Sequence, residues 1–355
     1  MGKFDADKWA RPNIKKLIPY SSARDEFSGE DYIFLDANES PFESGLNRYP
    51  DPYQNELKKH IARIKGCSVD QLFVGNGSDE AIDLLYRCFA EPGKESVLSI
   101  SPSYGMYRVC ADINNVAFNT VLLNEDFSLN PDRVLKSITG NTKMIFLCSP
   151  NNPSGNKLEE HAVRKVLDNF KGLVVIDEAY QDFSDDLSCL HLLDEYSNLV
   201  LLQTFSKAWG MAAARLGMAF AHPSIIRYLL KVKYPYNVNK LSQEALMKAL
   251  DQKDIVEENI RIIKREREEL VSDLKGINGI IKVYPSDANF VLIKVENPRQ
   301  IYQELIIKGI VVRDRSLVPL CEGCLRITVG TPEENERMLY ELRVLLDGKR
   351  MVNGE

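Results

Sequence analysis

The stretch KMIFLCSPNNPSG (143–155) joins a mostly apolar run to a loop rich in proline, asparagine and serine. The apolar run does not alternate with polar residues, which indicates a strand buried on both faces, as in a parallel sheet. Three further runs have the same form, SVLSI (96–100), LVVID (173–177) and LVLLQ (199–203), and helical patterns lie between several of them, as at 79–90 and 158–170. This alternation predicts an α/β fold with a mostly parallel central sheet flanked by helices.

A second, smaller α/β region follows towards the end of the chain. The segment 256–277 has the pattern of a long amphipathic helix, and short strands are predicted at 289–295, 309–314 and 324–330. The join between the two regions is placed at KYPYNVNK (233–240). The predicted organisation is an N-terminal arm (1–34) that packs with the small domain, a large domain (35–240) and a small C-terminal domain (241–355).

Composition narrows the classes of function. With 355 residues and a formal net charge of −6, the chain offers no electrostatic attraction for nucleic acid or an anionic membrane, so small molecules are the expected partners. No segment resembles a signal peptide or an apolar span of about 20 residues, which predicts a cytoplasmic protein. The seven cysteines are expected to be reduced thiols. Cys321 and Cys324 have no nearby histidine and the four histidines lack ligand spacing, so no metal site is predicted.

Polar loops follow all four buried runs. They are SPSYGMY, SPNNPSG, EAY and TFSK, and the carboxyl ends of strands are where open α/β sheets bind ligands. Asp177 ends one run, and a buried carboxylate requires a cationic partner or several donors. Lys207 follows the next run, and a lysine that is desolvated near positive charge becomes a nucleophile for carbonyl groups.

A phosphate site is predicted at GNGSDE (75–80), because small residues there leave backbone N–H groups accessible at the start of a helix. Arg215, Thr204 and Ser206 can add charge and hydroxyl donors. The expected ligand therefore has a phosphate, an aldehyde and a protonatable ring nitrogen. Pyridoxal 5′-phosphate has these three groups, and a lysine with an acidic partner for the ring nitrogen is its usual environment.

The order of the motifs SPNNPSG, VVIDEAYQDF and TFSKAWGMAAARLG resembles the aspartate aminotransferase type of pyridoxal-phosphate enzyme, which has the fold type I architecture. The rest of the chain is similar to the histidinol-phosphate aminotransferase family. This similarity covers most of the chain and is carried by LIPYSSAR (17–24), LDANESPF (35–42), RYPDPY (48–53), PSYGMY (102–107) and CLRITVGTPEENERM (324–338).

The resemblance implies a role for each polar group near the cofactor. Lys207 would hold the cofactor covalently and then move a proton at the substrate Cα, while Asp177 would keep the ring nitrogen protonated. The other residues implied at the cofactor are Ser78, Asp79, Thr204, Ser206 and Arg215 around the phosphate, Asn152 and Tyr180 at the ring 3′ oxygen, Tyr104 stacked on the ring, and Tyr49 from the second subunit of a homodimer.

The resemblance also implies the substrate. Arg326 would bind the phosphate or carboxylate of the substrate, Arg313 and Arg337 would add phosphate contacts, and Tyr20 would lie near the substrate. The implied reaction moves an amino group between L-histidinol phosphate and 2-oxoglutarate or L-glutamate by a ping-pong mechanism in histidine biosynthesis.

Three alternatives remain open from the sequence. An aromatic amino-acid aminotransferase would use the same cofactor residues. A pyridoxal-phosphate lyase such as a threonine-phosphate decarboxylase would need no keto-acid acceptor. A transcription regulator with an aminotransferase-like domain would need an N-terminal DNA-binding module, and only some 30 residues without a helix-turn-helix pattern precede LDANESPF.

Overall fold

The computed structural model describes residues 4–20 and 33–352. The large sheet has seven strands in the order β1-β7-β6-β5-β4-β2-β3, and a second sheet has four strands in the order β10-β11-β9-β8. The strands are β1 (Leu72–Asn76), β2 (Ser96–Ser101), β3 (Ala117–Leu122), β4 (Thr142–Cys148), β5 (Leu173–Asp177), β6 (Leu199–Thr204), β7 (Leu216–Ala221), β8 (Ile280–Val283), β9 (Phe290–Val295), β10 (Arg313–Asp314) and β11 (Cys324–Thr328).

Helices pack on the sheets and connect most of the strands. They are α1 (Ala6–Trp9), α2 (Pro12–Lys16), α3 (Asn55–Lys65), α4 (Gly77–Phe89), α5 (Met106–Ile113), α6 (Pro131–Lys136), α7 (Glu160–Asn169), α8 (Pro223–Val232), α9 (Lys240–Asp251), α10 (Lys253–Lys275), α11 (Pro298–Ile307) and α12 (Pro332–Val352). Short 3-10 turns lie at Val69–Gln71, Gln181–Phe183, Cys189–Asp194 and Ala212–Ala214.

The four apolar runs of the sequence form the centre of the large sheet. Strands β2, β4, β5 and β6 lie side by side and run parallel, and their apolar side chains are buried because helices cover both faces. This confirms the predicted α/β architecture. Strand β7 is the exception, since it runs antiparallel to both β6 and β1. No crossover helix separates β6 from β7, so the chain reverses instead of returning in the same direction.

The small sheet agrees with most of the sequence prediction. The long helix and the strands expected near 289–295 and 324–330 are present as α10, β9 and β11. The strand expected at 309–314 is reduced to Arg313–Asp314. The cause lies at the end of α11, where Gly309 adopts φ 78° and the Ile310 N–H donates to the Leu305 carbonyl, so these residues close the helix.

Two packing contacts bear on the expected domain organisation, which stays a prediction. In the described part of the N-terminal arm, Ala6, Ala10 and Ile14 are buried against the helices of the large sheet, not against the small domain. Helix α9, placed in the small domain by the boundary at 240, packs on α3, and Ser242 Oγ donates to the Ala214 carbonyl at 2.8 Å. In both the N-terminal arm and α9, the apolar side chains form these contacts. Residues 1–3 and 21–32, including the second half of LIPYSSAR, lie outside the described residues.

All seven cysteines are free thiols, as expected. Within residues 4–20 and 33–352, no helix is both long enough and apolar enough to cross a bilayer.

Candidate active site

A cavity opens at the carboxyl ends of the central parallel strands. It is formed by the loops after β2, β4, β5 and β6 together with the first turn of α4, so the four polar loops of the sequence do converge. Every residue expected at the cofactor lines it except Tyr49 of the second subunit. The lining consists of Gly77, Ser78, Asp79, Tyr104, Cys148, Asn152, Asp177, Ala179, Tyr180, Thr204, Ser206, Lys207 and Arg215.

Asp177 lies at the end of β5 and is 2% exposed. Its carboxylate accepts hydrogen bonds from the Tyr107 hydroxyl at 2.6 Å and from the Ala179 backbone N–H at 3.1 Å. Burial raises the pKa of Asp177 to about 6, and the two hydrogen bonds oppose that rise. A cation in the cavity, such as a protonated ring nitrogen, would stabilise the carboxylate anion.

Tyr107 is a side-chain partner of Asp177 that the sequence argument did not single out. It is fully buried, and its ring stacks on Phe146 with centroids 4.7 Å apart. A buried phenol requires an acceptor. Its position in PSYGMY, three residues after Tyr104, is the signal that could have identified it, and the two rings lie with their centroids 5.6 Å apart.

Lys207 extends into the cavity just after β6, with its Nζ 5.7 Å from the centroid of the Tyr180 ring. Withdrawal from water lowers the pKa of Lys207, and the nearby Arg326 and Arg215 guanidinium groups lower it further. A lowered pKa increases the fraction of neutral amine, which is the form that attacks a carbonyl carbon.

A chain of hydrogen bonds connects the cavity to the small sheet. Arg326, on β11, donates from Nη1 to Asn152 Oδ1 at 2.5 Å, and Asn152 Nδ2 donates to the Tyr180 hydroxyl at 3.3 Å. Burial raises the pKa of Tyr180, so its hydroxyl stays protonated and can donate to a ligand oxygen. Asn152 and Tyr180 therefore present polar groups along one edge of the cavity.

The opposite end of the cavity is built around Asp79, in the first turn of α4. The Tyr104 hydroxyl donates to Asp79 Oδ1 at 3.1 Å, and Arg215 Nη2 lies 3.5 Å from Asp79 Oδ2. The carboxylate therefore holds Tyr104 and Arg215 in place. The Gly77 N–H donates to the Arg215 carbonyl, and the N–H groups that follow it in the first helical turn have no acceptor within the helix and remain available to an anion.

Glycine is required where β7 meets the first turn of α4. A Cβ at Gly217 would lie 2.1 Å from the Ser78 nitrogen and 2.3 Å from the Gly77 carbonyl carbon. Gly77 itself has φ 71° and donates its N–H to the Arg215 carbonyl at 2.9 Å. The absence of side chains allows this close approach, which brings Arg215 beside the helix N-terminus.

These groups fit pyridoxal 5′-phosphate. The helix N-terminus, the Ser78 and Ser206 hydroxyls and Arg215 suit a phosphate. Asp177 suits a ring nitrogen, Asn152 and Tyr180 suit the oxygen on the adjacent edge, and Lys207 suits the aldehyde.

The four residues expected at the substrate are not all in one place. Arg313 faces Arg326 across the β10–β11 pair, close to the cavity. Tyr20 is 71% exposed and lies in a separate pocket with Tyr53 and Lys231. Tyr49, expected from the second subunit, is half exposed and stacks on Tyr236 with centroids 4.4 Å apart.

Arg337 lies apart from the residues that line the cavity. Its guanidinium donates to the Lys308 carbonyl at 2.9 Å, at the end of α11, and it is not among the charges that act on Arg326. It is exposed on α12. Its expected contact with the substrate phosphate stays a prediction.

Comparison with known proteins gives the class. Residues 36–342 match the family Aminotransferase class I and II, and the chain therefore belongs to the class I and II aminotransferases, enzymes that use pyridoxal phosphate. It is 50% identical over 348 residues to the histidinol-phosphate aminotransferase of Flavobacterium johnsoniae, covering 97% of this chain and 100% of the relative. The corresponding protein of Parabacteroides distasonis is 52% identical over 339 residues, with coverages of 96% and 98%.

The fold comparison agrees with the sequence comparison. The crystal structure of the histidinol-phosphate aminotransferase from Clostridium acetobutylicum superposes with a TM-score of 0.79 at 26% identity, covering 86% of this chain and 92% of that one. The fold type I expectation is thus confirmed.

Proposed function

We propose that the protein transfers an amino group between L-histidinol phosphate and 2-oxoglutarate or L-glutamate in histidine biosynthesis, by a ping-pong mechanism. The relatives named above support the substrate. The observation that carries the proposal is the pair Arg313 and Arg326 beside the cavity, because neither forms an ion pair with a carboxylate in the described part of the chain. A substrate phosphate would supply the missing negative charge.

Pyridoxal phosphate supplies an aldehyde that captures the amino group and a ring that accepts the electron pair released when the Cα proton is removed. Lys207, with its lowered pKa, would hold the aldehyde and would carry the proton at the substrate Cα. Asp177 would keep the ring nitrogen protonated, and Tyr107 orients its carboxylate. Asn152 and Tyr180, which are hydrogen-bonded to each other, would bind the ring 3′ oxygen.

The remaining cavity residues bind and orient. Tyr104, whose hydroxyl donates to Asp79, would stack on the ring. Thr204 Oγ1 accepts the Ser206 N–H at 3.1 Å and fixes the loop that carries Lys207. The proposed phosphate contacts are Ser78, Asp79, Thr204, Ser206 and Arg215, with Asp79 acting through its backbone N–H and through the carboxylate that positions Arg215.

The test is a half-reaction of the cofactor-loaded enzyme with single amino donors. Histidinol phosphate should convert the cofactor from its aldehyde to its amine form, followed by absorbance, far faster than tyrosine or phenylalanine do. A preference for tyrosine or phenylalanine would favour the aromatic aminotransferase instead. Release of CO₂ from threonine phosphate, without a keto-acid acceptor, would indicate the decarboxylase. Either result contradicts the proposal.

A homodimer in the cytoplasm completes the proposal, with Tyr49 reaching the phosphate of the partner's cofactor. Isologous two-fold contact would place the same patch of both chains at the interface. Lys207→Ala and Tyr49→Ala chains, refolded together, should regain activity in about a quarter of all sites, because random pairing makes half the dimers mixed and one site of each is intact. Activity equal to the mean of the two parents would place Tyr49 at its own chain's site.

A further inference from the structure

The paired strands β10 and β11 of the small sheet lie beside the cavity. A third arginine, Arg315, follows β10 and has no role assigned so far. Arg313 pairs with Arg326 in the β10–β11 register, and the Arg315 N–H donates to the Cys324 carbonyl at 2.9 Å, which extends the pairing by one step. Alternate residues of a strand share a face, and cross-strand partners share it too. Arg313, Arg315 and Arg326 therefore lie on one face. We call these three residues the arginine ribbon.

The arginine ribbon has no neutralising carboxylate. In the structure as described, none of the three guanidinium groups forms an ion pair. Asp314 alternates to the other face, where it accepts hydrogen bonds from the Ser316 backbone N–H and hydroxyl. Mutual repulsion is evident at Arg315, whose pKa is lowered first by burial and then by Arg326 and Arg313.

Two donors in the arginine ribbon are buried without an acceptor. They are the Nε–H groups of Arg315 and Arg326. A buried donor without an acceptor costs free energy, and a buried cation without a counter-ion costs more. Arg326 offsets part of this cost by lying over the Phe290 ring, 5.0 Å from the centroid, and by its hydrogen bond to Asn152. Among the described residues, no such contact compensates Arg315.

We propose that Arg315 is a substrate-positioning residue that completes a three-arginine site for a phosphate monoester dianion and sets the preference for phosphorylated over carboxylate donors. This inference rests on the proposed function. A carboxylate offers two oxygens and one charge, which Arg326 alone can satisfy in a bidentate pair. A phosphate monoester offers three oxygens and nearly two charges, so it can also accept from the unpaired Nε–H of Arg315.

The test uses the cofactor-loaded enzyme with Arg315→Gln, and Arg299→Gln as the matched control, because Arg299 is an exposed arginine of the same domain at the start of α11. Arg315→Gln should lower kcat/KM in the half-reaction with histidinol phosphate by roughly tenfold to a hundredfold, the usual size of a lost charge-assisted hydrogen bond. The rate with L-glutamate should fall by less than about threefold, since its carboxylate pairs with Arg326. Equal losses for both donors would overturn the proposal.

Binding of inorganic phosphate to the cofactor-loaded enzyme, followed by calorimetry, gives a readout that does not depend on turnover. The cofactor fills its own phosphate site, so the remaining Arg315-dependent binding reports on the arginine ribbon. Arg315→Gln should weaken this binding by roughly tenfold, whereas Arg299→Gln should not. Unchanged binding in Arg315→Gln would refute the site. If the wild type binds phosphate through Arg315 yet does not react with histidinol phosphate, the site stands and the proposed substrate falls.

Thermal unfolding and a second variant test whether a loss of phosphate binding is caused by a loss of folding. Removing an uncompensated buried charge should leave the Tm of Arg315→Gln equal to the wild type or higher. If that variant is instead unstable, Arg315→Lys decides, because lysine keeps the charge and the apolar stem but lacks the Nε donor and the planar fork. Phosphate affinity of Arg315→Lys between the wild type and zero supports the proposal, and affinity equal to the wild type contradicts it.

Discussion

In the cavity the carboxylates of Asp177 and Asp79 already have partners, whereas the arginines of the neighbouring ribbon have no counter-ion in the described part of the chain. Asp177 is held by Tyr107 and the Ala179 N–H, and Asp79 is held between Tyr104 and Arg215. Arg315 and Arg326, in the small sheet beside the cavity, each have a buried Nε–H without an acceptor in the described part of the chain. The two regions touch through the hydrogen bond from Arg326 to Asn152.

This difference between the two regions corresponds to a ligand that stays bound and a ligand that arrives and leaves in each turnover. A cofactor that stays bound is served by side chains that are already oriented, because no reorganisation is then needed at each turnover. A substrate that arrives and leaves can be bound by charges whose repulsion it relieves on arrival. A bound phosphate would also oppose the effect of Arg326 on Lys207, because Arg326 is the nearby charge that lowers the pKa of Lys207 most.

The largest effect is expected at Lys207. Lys207→Ala should bind the cofactor only non-covalently, so borohydride reduction should no longer attach it to the protein. Turnover should fall by roughly a thousandfold or more, because both the covalent hold and the proton transfer at Cα are lost. Mass spectrometry of the reduced protein and the half-reaction rate check this. A covalent adduct in the variant would show that another lysine holds the cofactor.

Asp177→Asn should separate function from stability. With cofactor bound, turnover should fall by roughly a hundredfold, the scale of losing one oriented charge at the reacting ring. In the cofactor-free protein the substitution should instead raise the free energy of unfolding where Asp177 is ionised, because it removes the cost of burying a charged carboxylate. The folded pKa of Asp177, about 6, lies above the unfolded value of 3.8, so the stability it contributes is present below pH 4 and is lost as the pH rises through 6.

The effect of Asp177 on stability can be measured as a function of pH. Between pH 4 and pH 7 the cofactor-free wild type should lose on the order of 3 kcal/mol of unfolding free energy relative to Asp177→Asn, which has no carboxylate to titrate. Urea unfolding at several pH values gives the difference. Parallel stability profiles for the two proteins would mean that burial does not perturb this carboxylate.

A smaller effect is expected when the support of Asp177 is removed. The Tyr107 hydroxyl lowers the pKa of Asp177, so Tyr107→Phe should raise that pKa and move the acid limb of the pH–rate profile to higher pH. At neutral pH we expect a loss of roughly tenfold, the usual weight of a hydrogen bond to a charged group. Tyr86→Phe is the control, because its buried hydroxyl donates to the Tyr107 carbonyl and not to Asp177. An identical pH profile in both variants would make Tyr107 merely structural.

The sequence predicted the cavity better than it predicted the ribbon. The cavity residues follow buried strands that a lack of alternation identifies, so their convergence follows from the topology of a parallel sheet. Strand β10 has only two residues, too short for a pattern, and its pairing with β11 is a non-local contact. Arg315 was therefore not distinguished from any other arginine. The packing of α9 on α3 is also a non-local contact, and the sequence pattern did not predict it.

The smallest effect is expected at Arg337. The family resemblance implies a substrate contact for this residue, whereas in the structure its guanidinium binds the Lys308 carbonyl. Arg337 closes the carboxyl end of α11 through the Lys308 carbonyl, so Arg337→Gln should cost about 1 kcal/mol of stability, the net value of one hydrogen bond. Because its guanidinium has a partner and lies outside the arginine ribbon, kcat/KM for histidinol phosphate and for L-glutamate should change by less than about twofold. Thermal unfolding and the two half-reactions measure both quantities. A selective loss with the phosphorylated donor would mean that α12 moves Arg337 to the substrate when the enzyme is loaded, and the contrast between partnered and unpartnered arginines would no longer predict which of them bind it.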